Sequence, residues 1–172
     1  MWGNKIAQFP LGSRANNLEI AITGYQALLE GYTREAFPED WATIQNNLGE
    51  AYRTRIRGEK ADNLEKAIAA LNLSLEVYTR QAFPYEWAMR QNNLGNAYRT
   101  RIRGERAENL ELAIAAYNLS LEVRTREAFP EDWAGIQNNL GIAYLYRIRG
   151  ERADNLELAI GEHLTFAMSI NT

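Results

Sequence analysis

The chain repeats itself with a long, regular period. Ala61-Asp62-Asn63-Leu64-Glu65 returns 46 residues later as Ala107-Glu108-Asn109-Leu110-Glu111, and matching openings stand at Ala15 and Ala153. Between 61–106 and 107–152, 34 of 46 positions are identical. A period of about 20 to 50 residues is the mark of stacked supersecondary units, a solenoid or a propeller. The content of the repeat decides between them.

Each period carries two helical patterns. In pattern A, from about Glu86 to Arg101, Trp87, Gln91, Leu94, Tyr98 and Ile102 recur at spacings of three and four and form one stripe. In pattern B, from about Asn63 to Gln81, Leu64, Ile68, Leu71, Leu75 and Tyr78 share a face, with the small Ala67 and Ser74 beside them. Neither shows the strict alternation of a strand. Phe83-Pro84 is expected to stop pattern B, because the residue before proline is pushed out of the α region, and Pro84 suits the first turn of the next helix. Gly104 suits a left-handed position at the end of pattern A. Asp62-x-x-Glu65 and Asp154-x-x-Glu157 read as capping boxes that open pattern B. Pro38, Pro130, Gly58 and Gly150 repeat these signals. The predicted architecture is all-α, with seven helices in the order B-A-B-A-B-A-B.

Composition narrows the class. Apolar residues are 46% and charged residues 24% of the 172, enough for a real core and too apolar for a disordered chain. The absence of cysteine excludes disulfides and thiolate metal sites. No stretch approaches the roughly 18 apolar residues of a membrane span, and no apolar segment of a signal peptide follows Met1. A formal charge of −3 gives no general pull toward nucleic acid. The expectation is a cytoplasmic protein that engages neither membrane nor nucleic acid.

Leu94-Gly95-x-Ala97-Tyr98, then Ala113-Ile114-x-x-Tyr117-x-x-Ser120-Leu121 and later Pro130, resembles the tetratricopeptide repeat signature. The ordinary repeat is about 34 residues, so this one is longer; the excess is expected in the A–B connection and a lengthened pattern B. Serine stands where the signature ends in alanine, and Gln91 where it has its first tryptophan. Longer repeats with Asn-Asn-Leu-Gly resemble those of kinesin light chains and of bacterial arrays beside caspase-like domains. The resemblance covers 15–160. It implies a right-handed superhelical solenoid of about three and a half repeats over 15–172, preceded by an irregular N-terminal cap at 1–14. It also implies a protein- or peptide-binding scaffold whose A helices line a concave groove, with no catalytic role and no cofactor or metal.

That implication selects a second stripe on pattern A, offset from the core: Met89, Asn92, Asn96, Arg99 and Arg103. Its counterparts are Thr43, Asn46, Glu50, Arg53 and Arg57 before it, and Gly135, Asn138, Ile142, Leu145 and Arg149 after it. An amide both donates and accepts, so a ladder of Asn46, Asn92 and Asn138 would suit a peptide backbone of any sequence, as the resemblance to kinesin light chains also implies. Alternatively these amides tie neighbouring helices together, the role expected of Asn47, Asn93 and Asn139. Arg53 and Arg99 would add charge selectivity. Asn96, Arg99 and Thr100 become Ile142, Leu145 and Tyr146, so the groove grades from polar to apolar and calls for a ligand with an apolar anchor.

Other features point to structure. The clusters Arg55-x-Arg57-x-x-Lys60, Arg101-x-Arg103-x-x-Arg106 and Arg147-x-Arg149-x-x-Arg152 each contain a glutamate (Glu59, Glu105, Glu151), which suggests local salt bridging. His163 is the only histidine and aligns with Tyr25, Leu71 and Tyr117, a core position. No phosphate loop, nucleophile elbow or metal spacing is present. Near the ends, Phe9-Pro10-Leu11-Gly12 interrupts any helical period. Leu164, Phe166, Met168 and Ile170 make the last helix apolar on more than one side. A solenoid end of that kind suits either a longer array or a homo-oligomer. The alternative function is therefore a self-associating structural or sensor arm of a larger protein.

Overall fold

The computed structural model describes residues 13–147, together with 158 and 160. It divides into two compact units, Met1–Ala82 and Phe83–Thr172. Among the described residues there are six helices and no strand. The first unit holds α1 (Arg14–Gly31), α2 (Pro38–Thr54) and α3 (Lys60–Leu75); the second holds α4 (Pro84–Thr100), α5 (Arg106–Leu121) and α6 (Pro130–Leu145). α1, α3 and α5 carry pattern B; α2, α4 and α6 carry pattern A. The first unit thus packs an A helix between two B helices, and the second a B helix between two A helices. The seventh helix and nearly all of the N-terminal cap lie outside the described residues. Of the cap, Ser13 accepts a hydrogen bond from the Asn16 amide at 3.2 Å and opens α1. Among the described residues no helix is long and apolar enough to cross a membrane.

The apolar stripe of pattern B is buried as its period requires: Leu64, Ile68, Leu71 and Tyr78 in the first unit, and Leu110, Ile114 and Tyr117 in the second. On pattern A the buried line is Ala42, Leu48, Gly49 and Ala51, then Ala88, Leu94, Gly95 and Ala97. The glycines set how closely the paired helices approach. A Cβ on Gly49 would lie 2.8 Å from Leu71 Cγ, and one on Gly95 would lie 2.6 Å from the Tyr117 ring. Neither position has room for a methyl group.

The serine that departs from the repeat signature has a physical account. Ser74 Oγ donates to the Ala42 carbonyl at 2.6 Å, and Ser120 Oγ to the Ala88 carbonyl at 2.7 Å, both fully buried. Each hydroxyl pins a B helix to its A helix.

Several boundaries differ from the sequence expectation. α3 and α5 end at Leu75 and Leu121 and α1 at Gly31, all well before the next proline, and the chain reaches that proline through turns. The extra residues therefore lengthen the B–A link rather than the B helix. In each link a threonine hydroxyl (Thr33, Thr79, Thr125) accepts an amide N–H three residues on, at 3.3 Å. The capping box at Asp62 does not form: the helix starts at Lys60 after Glu59, and Asp62 sits in the first turn, where a negative charge favours the helix dipole; the one at Asp154 lies outside the described residues. Ile56 and Ile102 are each 59% exposed, although the period placed Ile102 in the core. The helix ends two residues earlier, at Thr100, and Arg101 is already extended (ψ 135°).

The A–B turn passes through Gly58 (φ 76°) and Gly104 (φ 78°), left-handed positions that favour glycine. A buried asparagine staples each turn. Asn63 Nδ2 donates to the Arg57 carbonyl and Asn109 Nδ2 to that of Arg103, both at 2.8 Å. The arginines beside these turns are committed elsewhere than expected. Arg55 grips Glu19 at 2.8 and 2.6 Å, and Arg147 grips Glu111 at 2.8 and 3.2 Å. The bond from Arg55 holds the Glu19 carboxyl below its usual range, and the Glu19 and Glu111 partners raise the Arg55 and Arg147 guanidiniums. Glu59 and Glu105, the local partners expected from sequence, instead provide the backbone caps of α3 and α5.

Candidate functional site

In the second unit, α4 and α6 bring Asn92, a residue of the predicted groove stripe, against Asn139, which lies one residue off it. Asn139 Nδ2 donates to Asn92 Oδ1 at 3.2 Å. Among the described residues neither amide makes a further hydrogen bond, so the pair keeps a donor on Asn92 and an acceptor on Asn139. Around this pair lies a cleft of about 180 Å³ lined by Met89, Asn92, Arg124, Glu131, Asp132, Gly135, Ile136 and Asn139. Gly135 opens it. A Cβ there would meet nothing within 4 Å, and the equivalent positions hold Met89 and Thr43.

Arg124 closes one side. It donates to the Tyr85 carbonyl at 3.0 Å, forms an ion pair with Asp132 and lies 4.5 Å over the Phe129 ring. Its side chain is 15% exposed, so this cation belongs to the wall of the cleft more than to solvent. The equivalent residue in the first unit is Tyr78, whose hydroxyl reaches the Glu39 carbonyl at 3.2 Å and the Thr43 hydroxyl at 2.9 Å. Tyr78 and Arg124 thus contact the same backbone position of their A helices with different chemistry.

The other stripe residues fall into separate arrangements. Asn46 is buried and its Nδ2 donates to Asn47 Oδ1 at 3.4 Å. Asn138 is half-buried beside the cleft and does not line it. Glu50 accepts Arg53 in a bidentate pair at 2.9 to 3.2 Å, so those two charges satisfy each other. Asn96 and Arg99 meet at a tyrosine: the Tyr117 hydroxyl donates to Asn96 Oδ1 at 2.9 Å and accepts from Arg99 Nε at 3.3 Å. Ile142 is half-buried, whereas Leu145 and Tyr146 are 48% and 59% exposed at the end of α6. Arg106 lies 5.8 Å over the Tyr146 ring.

Sequence reasoning missed Arg124, Asp132 and Ile136, and gave Asn139 a packing role only. A usable signal was present. Among near-identical repeats, Tyr78 becomes Arg124 and Met89 becomes Gly135, changes as drastic as those at Ile142 and Leu145. Arg90 was also missed: it is 2% exposed where the other A helices hold Ile44 and Ile136. Comparison of the chain with protein-family models, with curated proteins and with solved structures finds no match.

Proposed function

We propose that this chain is a peptide- or protein-binding scaffold, a right-handed solenoid of tetratricopeptide-like helix pairs that holds an extended segment along its A helices. The 46-residue repeat supports the solenoid. One observation carries the binding role: the cleft between α4 and α6, with the Asn92–Asn139 amide pair on its wall and Met89 and Ile136 beside it. A donor and an acceptor flanked by apolar atoms match a peptide backbone and its side chain. The chemistry offered is adhesive, not catalytic. Asn46, Asn92 and Asn138 remain the proposed amide series, with Asn92 the member placed to touch ligand. Arg53 and Arg99 contribute less charge selectivity than their position suggests, because each is already bonded within its own unit.

The test is selection of a random peptide library on the immobilised full chain. Wild type should enrich a consensus, and Asn92→Leu should weaken the selected peptide about tenfold, equal to roughly 1.4 kcal/mol, with little change in melting temperature. Undiminished affinity in Asn92→Leu would remove the amide pair from the site. A second reading, self-association, is favoured by the exposed Leu145 and Tyr146. Light scattering against concentration decides it, since a strict monomer excludes this reading.

A further inference from the structure

The glycines divide into two kinds. Gly49 and Gly95 are required by close helix packing, but Gly135 faces open space within α6. A helix-interior glycine weakens the helix relative to alanine. Position 135 therefore gives up stability and leaves a hole where the other repeats carry a side chain. The hole is small. Pockets for cofactors and drug-sized ligands run from about 300 Å³ upward, whereas a cavity of about 150 Å³ takes a single benzene ring. At about 180 Å³ this cleft fits one apolar side chain.

The rest of the lining adds a charge and a spacing. Arg124 and Asp132 neutralise each other, while Glu131 makes no hydrogen bond or ion pair among the described residues. One uncompensated negative charge therefore stands at the rim. Glu131, Gly135 and Asn139 follow one another at four-residue steps on a single face of α6, about 6 Å apart along the axis. Along an extended peptide, side chains on one face recur every second residue, at about 6.6 Å. The two repeats nearly match.

We infer that the cleft takes an extended peptide bearing an apolar side chain and a lysine or arginine two residues apart. The apolar group fills the space left by Gly135 against Met89 and Ile136, and the cation pairs with Glu131. The backbone beyond the apolar residue meets the Asn92–Asn139 amides. This inference rests on the peptide-binding reading above and specifies the ligand.

The test uses the same random-peptide selection on the full chain, with three variants. Wild type should enrich an aliphatic or phenyl residue with a basic residue at the second position before or after it. Gly135→Met, which restores the side chain of the preceding repeat, should abolish the apolar preference while matching or exceeding the wild-type melting temperature. Glu131→Gln should abolish the basic preference alone. Gly24→Ala, at a glycine inside α1 that also faces open space, should raise the melting temperature and select the wild-type consensus. Enrichment of peptides lacking the spaced pair, or an unchanged consensus from Gly135→Met, overturns this inference and leaves peptide binding standing. If wild type enriches nothing, the peptide-binding reading falls and this inference with it.

Discussion

Over the described residues, the two units use nearly the same sequence in opposite arrangements, B-A-B in the first and A-B-A in the second. Their backbone interlocks are the same. Gly49 against Leu71 repeats as Gly95 against Tyr117, and the Ser74 bond to Ala42 repeats as Ser120 to Ala88. The side chains above that interlock change as a set. Where the B helix carries Leu71, the A helix carries a self-satisfied Glu50–Arg53 pair; where it carries Tyr117, the A helix carries Asn96 and Arg99 bonded to its hydroxyl. Tyr78 likewise gives way to Arg124, and among the described residues only the second unit holds two A helices side by side with the cleft among them. The helix-pairing contacts stay fixed while the polar faces vary in coordinated groups.

The largest expected effect tests the shared part. Gly49→Ala and Gly95→Ala should each destabilise by about 1–3 kcal/mol, the usual cost of overpacking a tight core. By contrast, Gly135→Ala should stabilise by up to about 1 kcal/mol. Urea unfolding measures all three, and a loss of stability in Gly135→Ala would mean that its space is filled. Next, Ser74→Ala and Ser120→Ala should each cost about 1 kcal/mol, the net worth of a buried hydrogen bond. Unequal values would break the equivalence of the two interlocks.

A smaller effect separates the variable faces. Tyr117→Phe removes a hydroxyl with two partners and should cost about 1 kcal/mol. Glu50→Gln loosens a half-exposed ion pair and should cost only a few tenths of a kcal/mol. The smallest effect depends on pH. The Glu19 carboxyl is lowered in the fold, so its contribution is complete above the ordinary carboxylate pKa and is lost as pH falls through the lowered one. Glu19→Gln should therefore lower the neutral value slightly, flatten the acid limb of the stability profile below about pH 4.5 and converge on wild type in strong acid. A parallel downward shift at every pH would contradict that sign.

Local periodicity made much of the fold legible. The 3.6-residue period found the buried faces of Leu64, Ile68 and Leu71. The helix ends were not legible, because the turns after Leu75 and the extended Arg101 depend on links such as the Thr79 and Asn63 bonds, which periodicity does not register. The candidate site was half legible. Asn92 lay on the predicted stripe, but its bond to Asn139 depends on α4 and α6 meeting across a distance of 47 residues in sequence. Arg124 was hidden for a similar reason: it follows α5 in the chain, yet its contacts are with Tyr85 and Asp132 on other helices.

The central claim is that the α4–α6 cleft receives peptide. Two-dimensional NMR of the 15N-labelled chain, titrated with a short peptide blocked at both termini and carrying leucine and lysine two residues apart, tests it most directly. The account predicts that the side-chain amides of Asn92 and Asn139 and the backbone amide of Gly135 shift together and saturate at one ligand concentration. Saturable shifts confined to the first unit, or to the exposed loops at Ile56 and Ile102, would contradict it.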